Sequence, residues 1–180
     1  KLGICKGHGV QLERCTKLRV PLSLQGRQAD GAGVAALLSD PQLVLRQLLS
    51  GEQLEQQGAG VFLYTPRPLE LPGIRLAPLV HFRAEWKAPL LAISLVNYQL
   101  PGLASLERKV KYHFRAELQQ TDGDLLVRAE ATLELASGEG GLGLPQPLLA
   151  FLGNRALGLI FGRLERRCRR NLPALTAPTN

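Results

Sequence analysis

Hydrophobic and polar residues alternate along two long stretches in the second half of the chain. A period of two is typical of half-buried strands, and Asp122-Gly123 between the stretches is a hairpin signal. The pattern therefore predicts an antiparallel pair of strands with one apolar face. On that face we place Leu106, Val110, Tyr112, Phe114, Ala116 and Leu118 in the first strand, and Leu125, Val127, Ala129, Ala131, Leu133 and Leu135 in the second.

Shorter strands are predicted in the first hundred residues. Residues 16–24 alternate and contain Pro21, which indicates an edge strand because proline cannot donate to a ladder. Three further runs, at 61–71, 74–86 and 90–100, are bounded by proline or glycine. In the middle run one face carries Val80, Phe82, Ala84 and Trp86.

Two segments have helical patterns instead. Residues 34–49 are interrupted at Ser39-Asp40-Pro41, where Ser39 or Asp40 suits an N-cap and Pro41 suits the first helical position. A long amphipathic helix is predicted up to about Arg170, and Pro173 ends it. Its apolar stripe is predicted to contain Leu148, Leu149, Leu152, Ala156, Leu159, Ile160 and Leu164.

This order of elements predicts an α+β fold. A curved antiparallel sheet must cover its apolar face, and the terminal helix is the long element left to do so. We therefore expect a helix-grip fold, with a curved sheet of about six strands on a long C-terminal helix and short helices after the first strand. The 180 residues suit one domain. We assign residues 1–15 to an N-terminal extension, 16–172 to the domain and 173–180 to a tail.

The chain resembles a cyanobacterial and plastid domain family related to START-like helix-grip proteins, a group with polyketide cyclases and lipid-transfer proteins. The resemblance covers roughly residues 16–172 and lies in LSDPQLVLRQLL, PLVHFRAEWKAPLLAISLVNYQLPG and LPQPLLAFLGNRALGLIFGRLERRCRRNL. It implies a cavity between sheet and helix for a hydrophobic ligand. It also implies a place near photosynthetic complexes, in the cytoplasm or peripheral to the thylakoid membrane.

Candidate contacts for such a ligand lie on the inward strand faces and on the terminal helix. Inward aromatic residues also suit a filled core, which is the commoner arrangement. Glycines in the helix cost up to about 1 kcal/mol each relative to alanine, so they indicate either close packing or space for a ligand. The predicted cavity residues are Phe82, Trp86, Tyr112, Phe114 and Gly158.

The terminal helix ends in five arginines, and the net charge of the chain is +7. Cationic side chains stabilise the negative end of a helix dipole, but one or two would suffice. Arg163, Arg166, Arg167 and Arg170 share one face by their three-and-four spacing, and Arg169 departs from it. We therefore predict that these four contact an anionic membrane surface or an acidic protein.

Residues for catalysis or metal binding are sparse. His8, His81 and His113 lack zinc-ligand spacing, and Cys5 and Cys15 form no recognised site with His8. No serine occupies a nucleophile elbow, and the glycine-rich run at 136–147 lacks the Lys-Ser/Thr ending of a phosphate-binding loop. The sequence therefore predicts no enzyme, no metal and no cofactor.

Cysteine usage and hydropathy predict the compartment. Three dispersed cysteines suit a reducing cytosol, and Arg155 and Arg163 interrupt the best candidate for a membrane span. Aromatic residues make up only 5% of the chain, which disfavours single-stranded nucleic acid because its bases stack on exposed aromatic side chains.

The leading hypothesis is a non-catalytic binding module that holds a hydrophobic small ligand. The alternative is an assembly or scaffold factor for a photosynthetic complex, with a filled core. A third hypothesis is a cyclase-like enzyme in the same fold.

Overall fold

The computed structural model describes residues 9–24, 27–28, 31–49, 53–71, 74–121, 124–137 and 142–173. Within these ranges the elements follow in the order β1 (Gly9–Pro21), β2 (Ser23–Leu24), β3 (Arg27–Gln28), α1 (Gly31–Leu38), α2 (Pro41–Leu48), β4 (Leu54–Gly58), β5 (Val61–Tyr64), β6 (Leu69–Leu71), β7 (Ile74–Leu76), β8 (Leu79–Lys87), β9 (Leu90–Gln99), α3 (Ala104–Glu107), β10 (Val110–Thr121), β11 (Asp124–Ala136) and α4 (Gln146–Asn171).

Seven strands form one antiparallel sheet in the order β1-β11-β10-β9-β8-β5-β4, and the pairs β2-β3 and β6-β7 stand apart from it. The hairpin of β10 and β11 runs from the pair Val110 and Leu135 to the pair Thr121 and Asp124. Its turn residues, Asp122 and Gly123, lie outside the described residues. The register between β8 and β9 shifts between His81 and Phe82, where β9 carries one extra residue, Val96, that has no partner in the register.

The helix-grip arrangement is confirmed. The inner face of the sheet buries Ala129, Ala131, Leu133 and Leu135 of β11, as the alternation predicted. Helix α4, 26 residues long, packs on this face and contacts β1, β11, β6 and α2. The apolar face of the curved sheet is therefore covered from one side by the terminal helix.

Close packing holds α4 against β1 and β11. A Cβ atom placed on Gly153 would fall far inside van der Waals distance of Leu12 Cδ1 and 3.1 Å from Leu135 Cδ1. Leu149, Leu157 and Phe161 are fully buried on the same helix. Gly153 thus lets the helix approach the edge of the sheet, where a side chain would hold it away.

The predicted break between two short helices is confirmed. Asp40 is the N-cap of α2, because its carboxylate accepts a hydrogen bond of 3.0 Å from the Leu43 amide. Pro41 occupies the first helical position, as expected. Val34 and Leu45 are among the buried residues through which α1 and α2 join the core.

Several strands differ from the prediction. The run 61–71 divides into β5 and β6, the run 74–86 divides into β7 and β8, and β6 pairs with β7 outside the main sheet. β1 begins at Gly9, so residues 9–15 lie in the sheet and not in an N-terminal extension. The reason is that Leu12 continues the inward face and pairs with Leu133. β4 is a seventh strand that the sequence did not predict, because its exposed glutamate and glutamines show no apolar alternation.

Two assignments on helices are also corrected. Leu106 lies in α3, so β10 begins only at Val110. Leu148 is 41% exposed on α4 and does not belong to the buried stripe. That stripe consists of Leu149, Leu152, Gly153, Leu157, Phe161 and Cys168.

Candidate ligand-binding site

A cavity of about 1000 Å³ lies between α4 and the inner face of the sheet. It is partly open to solvent, and its volume lies at the upper end of the range for small-molecule sites. The sheet forms one wall, and the opposite walls come from α4, the C-terminal part of α2 and the β6-β7 hairpin. Its apolar lining includes Tyr64, Val80, Phe82, Ile93, Tyr112, Phe114, Leu133, Leu152, Leu157 and Ile160.

The space results from where α4 lies. The helix packs closely on β1 and β11 at one edge of the sheet, so the central strands face mainly the cavity, although Phe114 of β10 also reaches Phe161 of α4. Two lining residues are alanines, Ala116 on β10 and Ala156 on α4, and their small side chains leave room between the walls. The helix-to-edge contact and the small residues together keep the cavity open.

Three of the predicted cavity residues line it: Phe82, Tyr112 and Phe114. The Phe114 ring lies 5.9 Å from the Phe82 ring and 6.5 Å from the Phe161 ring, in edge-to-face contacts. Phe161 is not a lining residue itself, but its contact with Phe114 joins α4 to the sheet beside the cavity.

Trp86 and Gly158 are not among the lining residues, so both assignments are corrected. Trp86 pairs with Leu91 near the end of β8, away from the cavity-lining Phe82 and Val80. Gly158 faces β1, where Arg14 Nη1 would lie 3.5 Å from an added Cβ. The helical turn that carries Gly158 thus looks toward the sheet edge.

Three tyrosines, Tyr64, Tyr98 and Tyr112, bring hydroxyl groups to the apolar lining. The Tyr98 hydroxyl donates a hydrogen bond to the Val110 carbonyl, and the Tyr98 and Tyr112 rings meet at 6.4 Å. Burial raises the pKa of Tyr112 above its usual range. Burial, and then the charge of Glu107, raise the pKa of Tyr98. Both hydroxyls therefore stay protonated at neutral pH.

Arginines line the end of the cavity that lies beside the C-terminal part of α4. Four were predicted to share a helix face, namely Arg163, Arg166, Arg167 and Arg170, and all four line the cavity. The sequence missed two more, Arg46 and Arg67, which come from α2 and from the segment after β5. Arg46 could have been suspected, because it lies in the last turn of a predicted helix, where a cation is favourable. Nothing in the sequence around Arg67 indicates that it joins this group.

Two of these arginines bridge α4 to the facing walls. Arg163 donates to the carbonyls of Arg67 at 3.1 Å and Pro68 at 3.5 Å, and Arg167 donates to the carbonyl of Leu48 at 3.3 Å. Asn171 adds a bond of 2.8 Å to the Gln47 carbonyl. The last carbonyls of α2 have no partner within their own helix, so α4 satisfies them.

Acidic side chains are absent from the described part of the lining. Among the described residues around the cavity there is no Asp or Glu, and also no His, Cys, Ser, Thr or Lys. Glu165, the one acid of α4, accepts a hydrogen bond of 2.6 Å from Thr16 on β1 instead. As far as the structure describes it, this end of the cavity is therefore strongly cationic.

The other candidate polar residues lie apart from the cavity. His113 and Cys15 are exposed, whereas Cys168 is buried and burial raises its pKa to about 12. Cys5 and His8 lie outside the described residues. Within the described ranges no group of three or more His, Cys, Asp or Glu side chains is placed to hold a metal ion. In the same ranges no helix is long and apolar enough to cross a membrane.

No protein-family model and no curated protein matches the chain. Solved structures with a similar fold include a conserved protein from Geobacillus kaustophilus, with TM-score 0.48, 10% identity and coverage of 87% of this chain and 95% of that one. A START-superfamily protein from Mycobacterium smegmatis matches with TM-score 0.44 and 12% identity, over 87% of this chain and 96% of that one. An aromatase/cyclase from Streptomyces sp. R1128 matches with TM-score 0.42 and 16% identity, over 89% of this chain and 97% of that one. At these identities the likeness concerns the fold and says nothing about the ligand.

Proposed function

We propose that this chain is a non-catalytic module that binds a hydrophobic small molecule between α4 and the sheet. The observation that carries the proposal is the cavity of about 1000 Å³ with its largely apolar lining. Protein interiors are otherwise close-packed, with few voids larger than a water molecule. A cavity of this size therefore favours an occupant over the alternative of a filled-core assembly factor for a photosynthetic complex.

The chemistry of the lining favours binding over catalysis. A cyclase-like reaction needs a side chain that takes up or gives a proton near neutral pH. The described lining offers only arginines and tyrosines as ionisable groups. Guanidinium groups stay charged, and the raised pKa values of Tyr98 and Tyr112 keep their hydroxyls protonated. The arginines, Tyr98 and Tyr112 are therefore suited to orient a ligand, which favours binding.

The arginine end of the cavity supports a second part of the proposal. Four of the lining arginines, Arg46, Arg67, Arg166 and Arg170, are exposed, and we infer that the cavity opens to solvent at this end. An anionic membrane surface attracts such a cluster and is also a source of apolar ligands. We therefore propose that the opening of the cavity lies against an anionic membrane. On this proposal the protein is peripheral to the thylakoid membrane. Contact with an acidic protein is the competing outcome.

Filling the cavity tests the first part. In parent protein, a neutral fluorescent probe such as N-phenyl-1-naphthylamine should bind and brighten. Ala156→Phe places a large ring in the lining and should abolish this uptake, whereas Ala36→Phe on the exposed face of α1 should not. Circular dichroism checks that both variants fold. If parent protein takes up no probe, or if folded Ala156→Phe still binds it, the cavity does not hold ligands.

Charge neutralisation tests the membrane contact. Arg163, Arg166, Arg167 and Arg170 are changed together to Gln, and binding to anionic vesicles is measured by sedimentation. We expect weaker binding at low salt and a smaller difference near 0.15 M, where charges are screened over about 8 Å. The matched control loses the same charge from exposed positions outside the cavity: Arg19, Arg83, Arg128 and Arg155. Equal loss of vesicle binding in both variants would reduce the contact to net charge. Unchanged vesicle binding in both, with capture of an acidic protein lost only in the cavity variant, would favour the protein partner.

A further inference from the structure

The lining of the cavity changes in polarity along α4. From Leu149 to Ile160 the helix contributes only apolar or small residues, and from Arg163 to Asn171 it contributes mostly polar and cationic ones. At a rise of 1.5 Å per residue the apolar stretch is about 16 Å long. This equals roughly half of the 30 Å hydrocarbon core of a bilayer, which is the reach of one acyl chain.

The cationic end concentrates charge of one sign. Six arginines line it, and no described residue of the lining carries a negative charge. The negative end of α4 is equivalent to only about half a charge, so it does not offset them. Arg166 is three residues from Arg163 and four from Arg170, a spacing at which like charges on a helix repel. A bound anion would relieve this repulsion.

Arg163 is held in place over the cavity. It is half-buried, and its bonds to the carbonyls of Arg67 and Pro68 fix the guanidinium between α4 and the segment after β5. A guanidinium has five N–H donors, so these two bonds leave it capacity to bind an acidic group. Arg166 differs, because it is exposed and donates to the Gly162 carbonyl of its own helix at 3.0 Å. Arg163 is therefore the better-positioned of the two to hold a ligand.

We propose that the ligand of this cavity is an amphipathic anion. Its single apolar chain lies along the stretch from Leu149 to Ile160, and its acidic head, a carboxylate or a phosphate, binds the guanidinium of Arg163. The inference rests on the proposed function and adds to it the class of ligand and its orientation. A neutral apolar molecule would match the apolar stretch of the lining but would make no use of the cationic end.

Three probes with the same alkyl chain test this inference. Lauric acid, lauryl phosphate and lauryl alcohol are each titrated below their micelle concentrations, with displacement of a neutral fluorescent probe as the readout. We expect at least one of the two anions to bind about tenfold or more tighter than the alcohol, a difference of about 1.4 kcal/mol. The ratio between the two anions tells a carboxylate ligand from a phosphate ligand.

Two single variants with equal loss of charge locate the head. Arg163→Gln should abolish most of the preference for the anion by weakening anion binding far more than binding of lauryl alcohol, and retained alcohol binding also shows that the cavity is intact. Arg166→Gln removes one charge from the same lining and should retain most of the preference. Arg163→Lys keeps the charge but lacks the planar guanidinium fork, so we expect it to recover part of the preference for the anion that Arg163→Gln loses.

Each outcome separates the two proposals. If none of the three probes binds, the proposed function itself fails. If alcohol and anions bind equally to parent protein, the cavity is a hydrophobic site and the inference of an acidic ligand is overturned. If Arg163→Gln keeps the preference, or if both variants lose it equally, the assignment of the head to Arg163 is overturned.

Discussion

Two glycines of α4 should respond in opposite ways to the same substitution. An added Cβ at Gly162 would meet no atom within 4 Å, whereas at Gly153 it would collide with Leu12 Cδ1 and press on Leu135 and Leu133. We expect Gly162→Ala to stabilise the protein and Gly153→Ala to leave it unchanged or destabilise it. The comparison tests whether α4 is held against the edge of the sheet, which is the contact that leaves the cavity open.

The magnitudes follow from two competing effects. Alanine in a helix interior is favoured over glycine by about 1 kcal/mol, and Gly162→Ala should gain most of this. In a chain of this size such a gain raises Tm by about 2–4 °C. Gly153→Ala has the same gain, but overpacking a core site costs about 1–3 kcal/mol because buried Leu12 must move. The two variants should therefore differ by about 1–3 kcal/mol.

Urea denaturation followed by circular dichroism measures this difference directly. The free energy of unfolding is extrapolated for parent protein and both variants, and the denaturant slope is checked for equality. Equal stabilisation by the two substitutions would refute the reasoning, since it would mean that Gly153 has as much space around it as Gly162. The cavity would then not depend on a close contact of α4 with β1.

Three further outcomes test other parts of the fold. Phe161 is fully buried against Phe114, so Phe161→Ala should cost about 3–5 kcal/mol in denaturant unfolding, and a cost below 1 kcal/mol would remove it from the core. Asp40→Ala should lower the free energy of unfolding by about 1 kcal/mol, because the N-cap of α2 is lost. Asp40→Asn should keep most of the stability, since asparagine also caps helices, and an equal loss in both variants would contradict the cap. Burial raises the pKa of Cys168 to about 12, so this thiol should react with Ellman's reagent slowly, only as the protein unfolds. Cys168→Ser should therefore remove the slow phase of the reaction and leave the fast reaction of exposed Cys15 unchanged. Because the folded pKa of Cys168 lies above the ordinary 9.0, its neutral thiol stabilises the fold fully below pH 9, and this contribution should fade as the pH rises toward 12.

Alternation sufficed to predict the central strands but not the edges of the sheet. β8, β10 and β11 repeat with a period of two, so the amino-acid sequence alone was enough to assign most of their inward residues. In the first half of β1 an inward position is taken by Arg14, whose guanidinium lies 5.8 Å from the centre of the Phe161 ring. A cation on the apolar face interrupts the pattern, although the contact with an aromatic face explains it.

The cavity itself could be predicted only in part. Inward residues such as Phe82 and Phe114 have the same pattern whether they meet a helix or face empty space. The outcome depends on where α4 lies, which Gly153 and Leu12 determine across the fold. Likewise, the helical spacing predicted a cationic face on α4, but Arg67 joins it from a distant segment. Contacts between distant parts of the chain leave no periodic signal.

The open ends of the sheet have a consequence for self-association. β1 and β4 are its two edges, and an unpaired edge is a template on which another chain can add a strand. β4 has only five residues, with exposed Glu55 and an irregular register between Gln56 and Gly58. β1 presents exposed Lys17 and ends at Pro21. Short length, charge, irregularity and proline all disfavour such pairing, so a fold with a large apolar cavity is protected against edge-to-edge aggregation at both ends of its sheet.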